Sequence, residues 1–70
     1  MRREPVTSGN LHSVGYDPTA KILEIEFNSG SIYQYFEVPE AVYRGLMAAP
    51  SHGEYFHAHI KDRFRFTQVV

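Results

Sequence analysis

Near the end of the chain, Lys61, Arg63 and Arg65 alternate with Phe64 and Phe66. Cations interleaved with rings can hold phosphates while the rings stack on unpaired bases, as many single-strand binders do without reading sequence. An edge strand produces the same alternation, where charge discourages sheet-to-sheet aggregation. Tyr33 and Tyr35 sit two residues apart in mid-chain and would join such a surface if their rings were exposed. Tyr33, Tyr35, Lys61, Arg63 and Arg65 are therefore the candidate nucleic-acid site.

Other chemistries find less support. His52, His57 and His59 are close in sequence, but on a helix His57 and His59 point about 200° apart, and His52 lies two turns from His59. No metal and no cofactor are expected. Glu24 and Glu26 point the same way in a strand with no partner in view, and read as its wet face. Catalysis needs a nucleophile with a base, or carboxylates held in opposed environments, in a pocket that excludes water. None of these is legible, and so short a chain has little room for a cleft of several hundred Å³. The expectation is a non-enzymatic module with no small-molecule substrate.

The elements that must position these residues centre on residues 22–38, ILEIEFNSGSIYQYFEV. Leu23, Ile25 and Phe27 alternate with Glu24 and Glu26, the period of a half-buried strand. Asn28-Ser29-Gly30 suits a three-residue turn with Gly30 in the left-handed position. In that register Phe27 faces Ser31, Ile25 faces Tyr33 and Leu23 faces Tyr35, which puts both tyrosines on the apolar face. A two-residue turn over Ser29-Gly30 would slide the pairing by one and send Tyr33 and Tyr35 outward beside the glutamates. Turn chemistry favours the first register.

Upstream, NLHSVGY from Asn10 to Tyr16 is compatible with a strand in which His12, Val14 and Tyr16 share a face. Asp17-Pro18 opens the turn that follows and Lys21 closes it. His12 is assigned no role. Residues 1–9, MRREPVTSG, have no apolar period and read as a flexible tail. Downstream, Val38-Pro39 ends the hairpin, and Pro39 and Glu40 suit a helix start. Val42, Leu46 and Ala49, with Tyr43 and Met47 alongside, make the apolar stripe of a first helix over residues 40–49. Gly45 weakens that helix by up to about 1 kcal/mol relative to Ala, as close backbone packing would require. Pro50 stops it, and Ser51-x-x-Glu54 forms a capping box for a second helix that reaches about Lys61 and presents Tyr55, Phe56, His59 and Ile60 on one side. From Arg63 the chain reads as a short fourth strand or extended arm, with Phe64 and Phe66 docked and Arg63 and Arg65 projecting.

Seventy residues make one domain, residues 10–70, near the lower size limit, burying about 60% of its unfolded surface. Five Tyr and five Phe supply large burial per residue and partly compensate. The absence of cysteine excludes a disulfide framework and thiolate metal sites. No apolar run approaches the ~20 residues of a membrane helix, and Arg2-Arg3 is not followed by the apolar stretch of a secretory signal, so a cytoplasmic protein is expected. The net charge of −1 gives no global attraction to nucleic acid, but its distribution is uneven: residues 22–40 carry −4 and residues 41–70 carry +2. The hairpin acids Glu24, Glu26, Glu37 and Glu40 would repel a nucleic-acid backbone unless they face away from it.

Tyr33-Gln34-Tyr35 leading into Val38-Pro39, then Tyr43, Leu46, Ala49, Ser51, Gly53-Glu54-Tyr55-Phe56 and Ile60, resembles the KTSC domain. That module takes its name from the C-terminus of some lysyl-tRNA synthetases and also occurs as small stand-alone bacterial proteins. The resemblance runs from about Asn10 to Val69, with the Tyr-x-Tyr at Tyr33 and Tyr35 as its hallmark. It implies RNA, single-stranded or transfer RNA, as a partner, and it supplies no catalytic residues. His57 departs from the pattern, standing where Asn is expected in many relatives.

The fold these observations imply is α+β, a three-stranded antiparallel meander packed against two helices, with the C-terminal segment available as a short fourth strand. The function they imply is weak, largely backbone-directed RNA binding. The alternative is a protein-interaction or homodimerisation module using an exposed sheet face or edge.

Overall fold

The computed structural model describes residues 1–70. Its central hairpin joins strand β3 (Ile22–Phe27) to strand β4 (Ile32–Tyr35), and strands β1 (Glu4–Pro5) and β2 (Leu11–Asp17) precede it. Helices α1 (Glu40–Ala48) and α2 (His52–His59) follow, and strand β5 (Phe66–Gln68) ends the fold. The turn is the three-residue one: Gly30 has φ +97°, the Gly30 N–H donates to Phe27 O at 2.9 Å, and the Phe27 N–H donates to Ser31 O at 2.9 Å. Leu23 therefore faces Tyr35 and Ile25 faces Tyr33, as turn chemistry predicts.

All neighbours pair antiparallel in the order β1-β2-β3-β4-β5. This five-stranded sheet exceeds the three-stranded meander with a short fourth strand that the patterning implies. The unexpected strand is β1, from the segment read as a tail. It is two residues long and holds a proline, so it has no period to detect. Its neighbours identify it: the Val6 N–H donates to His12 O at 3.0 Å, and a Cβ on Gly15 would lie 2.6 Å from the carbonyl oxygen of Arg2. Gly15 thus lets the N-terminal backbone come close to β2. At the other edge β5 begins at Phe66 rather than Arg63, with Tyr35 opposite Phe66 and Tyr33 opposite Gln68.

Strand β2 departs from simple alternation. The pairing shifts between Leu11 and Ser13, so that Leu11 opposes Phe27 and Val14 opposes Ile25. Because of this bulge His12 does not share the face of Val14 and Tyr16, and Leu11 takes the core position instead. Leu11, Val14, Leu23, Ile25, Tyr35, Val38, Leu46, Phe56 and Ile60 form the core between the sheet and the helices.

Asp17 Oδ1 accepts from the Thr19 and Ala20 N–H groups at 3.0 and 3.1 Å, which forms the β2–β3 turn. Tyr16 donates to Val38 O at 2.6 Å, and its ring stacks on Tyr43 at 4.9 Å, pinning the entry to α1. Ser51 Oγ accepts the Glu54 N–H at 3.2 Å, the N-cap that the capping box implies, and α2 ends at His59, earlier than expected. Phe56 of α2 and Ile60, which caps its C-terminus, enter the core, while His59 stays exposed with its ring centroid 4.5 Å from that of Tyr55.

Candidate nucleic-acid interface

The hairpin register puts Tyr33 and Tyr35 on the helix-bearing side of the sheet, but α1 and α2 do not cover that side as far as β5. Tyr35 is buried and Tyr33 half-buried, and beside them a groove of about 570 Å³ runs between the β3–β4 hairpin, α2 and β5. A cleft of this size exceeds what the length of the chain implies. It needs no hollowed core, because it lies where the helices leave the sheet uncovered.

Five rings line the groove. Phe27 meets Tyr33 and Phe56 edge to face at 5.6 and 5.4 Å, Tyr35 meets Phe56 edge to face at 5.7 Å, and Phe66 lies 5.8 Å from Tyr33 and 5.7 Å from Tyr35. Tyr33 and Tyr35 lie nearly parallel at 6.4 Å. Phe66 is 54% exposed, so it docks by one side only. The rim is polar, with Asn10, Asn28 and Ser31 towards the hairpin turn and His57, Lys61 and Asp62 after α2. Asn28 holds its part of the rim by donating from Nδ2 to Ser8 O and Gly9 O at 3.0 and 3.1 Å.

The structure thus brings Tyr33, Tyr35 and Lys61 into one groove and places Arg63 and Arg65 just outside it. The two arginines border a shallower hollow with Phe64, and Asp62 and Phe66 border both. Arg65 Nη2 lies 3.2 Å from Glu37 Oε1, with side chains 79% and 82% exposed. So exposed a pair is worth about 0–1 kcal/mol, and a phosphate can compete for the guanidinium. Arg63 and Lys61 form no ion pair.

The hairpin acids turn away. Glu24 and Glu26 project from the opposite sheet face, where Arg3 meets them. Arg3 Nη1 donates to Glu24 Oε2 at 2.5 Å, Arg3 Nε donates to Ser13 Oγ at 2.9 Å, and Ser13 Oγ donates to Glu26 Oε1 at 2.9 Å. Gln34 Nε2 donates to Glu24 Oε1 at 2.8 Å. Glu24 is only 7% exposed, which corrects its reading as the wet face of the sheet. Burial opposes its ionisation, but the hydrogen bonds from Gln34 and Arg3 outweigh that and hold its carboxyl below the usual range. Glu40 is paired with Arg44 at 2.9 Å. Each hairpin acid therefore has an arginine, and none lines the groove.

Burial pushes the Tyr35 hydroxyl up to about 12, helped by Tyr33 and by the Asp62 charge, so it stays protonated at neutral pH. The histidines serve separate places: His52 Nδ1 lies 2.8 Å from Leu46 O, His59 rests on Tyr55, and His57 stands on the groove rim against Phe56. Sequence reasoning missed Phe27, Phe56, Asn10, Asn28 and Asp62 as groove residues. Asn10 and Asn28 meet there because they flank the Leu11–Phe27 pair, whose register the bulge in β2 sets.

The model of the KTSC domain family matches residues 7–64. A lysine–tRNA ligase of Nostoc sp. is 52% identical over 54 residues, which are 77% of this chain and 10% of the ligase. An uncharacterized protein of Stutzerimonas stutzeri is 40% identical over 70 residues, covering 99% of both chains. The crystal structure of a KTSC domain protein from Yersinia pestis superposes with a TM-score of 0.96 at 39% identity, covering 99% of this chain and 97% of that one. This chain spans only about a tenth of the length of the ligases it matches. No helix is long and apolar enough to cross a membrane. By family model, sequence and fold alike, the chain belongs to the KTSC domain family.

Proposed function

We propose that this protein is a non-enzymatic module that binds single-stranded RNA weakly across the aromatic groove. The observation that carries this reading is the meeting of Tyr33, Tyr35 and Phe66 in one open groove, with Lys61 on its rim and Arg63 and Arg65 next to it. Unpaired bases stack on such rings, and the three cations are spaced along one segment to follow a backbone. The weight moves from phosphate to base compared with a purely backbone-directed mode, because Asp62 and Glu37 offset part of the positive charge. The match to a segment of lysine–tRNA ligases adds a setting in which RNA is at hand.

Titrating labelled single-stranded RNA at low and moderate salt tests this. The expected result is binding that weakens with salt, that loses about 1–3 kcal/mol in Tyr33→Ala, and that falls further when Arg63 and Arg65 are both alanine. Absence of binding, or binding indifferent to salt, overturns it. A second reading, a protein-interaction or homodimer module, is favoured by the exposure of Phe66 in β5 and of Val69 and Val70 just after it. Light scattering over a concentration series distinguishes the two, since a dimer that covers Phe66 would close the groove.

A further inference from the structure

Tyr35 is the one tyrosine of the five in the buried class, at 5% exposure. A buried tyrosine hydroxyl usually finds a partner. Tyr16 has Val38 O at 2.6 Å, and Tyr33 has Gln68 Oε1 at 3.3 Å. The Tyr35 hydroxyl has none in the protein, and it is not sealed off from solvent either. It therefore opens on the groove as an unused donor among rings. Asp62 lies on the same groove and likewise accepts no hydrogen bond and forms no ion pair. The turn that carries it is fixed, with the Lys61 N–H donating to Phe56 O at 2.8 Å and the Arg63 N–H donating to Ile60 O at 3.0 Å. Asp62 sits there at φ +61°, a left-handed conformation that Asp tolerates.

A free donor next to a free carboxylate, inside an aromatic groove of small-ligand size, defines a chemical complement: a flat ring with an acceptor beside donors. Among the four RNA bases, guanine presents two adjacent N–H donors, on N1 and N2, which a carboxylate can accept together, with the O6 acceptor next to them. Adenine, cytosine and uracil offer a carboxylate no such pair. We propose that the groove is a seat for one unstacked guanine, with Asp62 accepting from N1 and N2, Tyr35 donating to O6, and Lys61 placed for the nucleotide's phosphate. This rests on the RNA reading above and gives it a base preference.

The test compares two labelled uridine heptamers, one with a central guanosine and one with a central adenosine. The guanosine heptamer is expected to bind about tenfold tighter, within the range of a bidentate base contact. Asp62→Asn should abolish the difference, and because it also removes a negative charge beside the cations it should bind the adenosine heptamer more tightly than the parent does; Tyr35→Phe should reduce the difference. Both variants should fold: Tyr35→Phe removes a hydroxyl with no protein partner, and Asn also tolerates the left-handed conformation. Equal binding of the two heptamers by the parent protein overturns the guanine seat and leaves the RNA reading standing. Should neither heptamer bind, the RNA reading falls, and guanosine monophosphate alone decides the seat. Chemical-shift changes at Tyr35 and Asp62 with that nucleotide, and not with adenosine monophosphate, support it; none overturns it.

Discussion

At the scale of single residues, Tyr35 links stability to the groove. Its ionisation is pushed above the unfolded value of 10.0 to about 12, so its contribution is complete below pH 10 and is lost as pH rises towards 12. Tyr16 and Tyr43 are raised too, chiefly by burial, and act in the same direction. Denaturant midpoints should therefore fall above pH 10, and less steeply in Tyr35→Phe than in the parent; identical alkaline slopes would contradict the burial of this hydroxyl. Gly45 is a second such position. A Cβ there would run into the hydroxyl and ring of Tyr55. Overpacking costs about 1–3 kcal/mol and outweighs most or all of the roughly 1 kcal/mol of helix propensity that Ala gains. Gly45→Ala should thus fail to stabilise α1, whereas Gly45→Ala with Tyr55→Ala should recover the propensity gain relative to Tyr55→Ala alone.

Among the elements, β1 is the one whose removal is easiest to test. Arg3 binds Glu24 and Ser13 from that edge, and hydrogen bonds to charged groups contribute about 1.5–3 kcal/mol. Arg3→Ala should destabilise by about that much and speed amide exchange at Val6, whose N–H reaches His12 O. Gly15→Ala should have the same exchange signature through its clash with Arg2. Because the Glu24 carboxyl is depressed when folded, its contribution is present above the ordinary 4.5 and lost as pH falls through the lower folded value. Arg3→Ala should flatten that acid loss. The central hairpin was legible because Asn28-Ser29-Gly30 specifies its own turn, and the start of α2 because Ser51 and Glu54 mark a cap. The bulge at His12 was not, since nothing local separates it from plain alternation. Nor was β1, whose only evidence is a glycine and two carboxylates elsewhere in the chain. Of the candidate site, the residue types at Tyr33, Tyr35 and Lys61 could be read directly. That Phe27, Phe56 and Asp62 would meet them depended on how far the helices cover the sheet, which no local pattern encodes.

Over the whole molecule, the acidic hairpin and basic C-terminal part of the sequence do not become two opposed charged faces. Glu24 and Glu26 share Arg3 behind the sheet, while Glu37 and Glu40 take Arg65 and Arg44. What remains is Lys61 and Asp62 on the groove rim, with Arg63 and a loosely paired Arg65 bordering the neighbouring hollow. So few net charges can neutralise about one to three phosphates, so log K against log salt should fall with a slope between about −0.7 and −2 for a single strand. A much steeper slope would mean that the phosphate chain, and not the rings, carries the binding. The most direct measurement is an amide and side-chain chemical-shift map with single-stranded RNA added. Shifts should gather at Tyr33, Tyr35, Lys61, Asp62 and Phe66 while Arg3, Ser13, Glu24 and Glu26 stay still. Shifts confined to the Arg3 face, or none at all, would contradict the groove as the place where RNA binds.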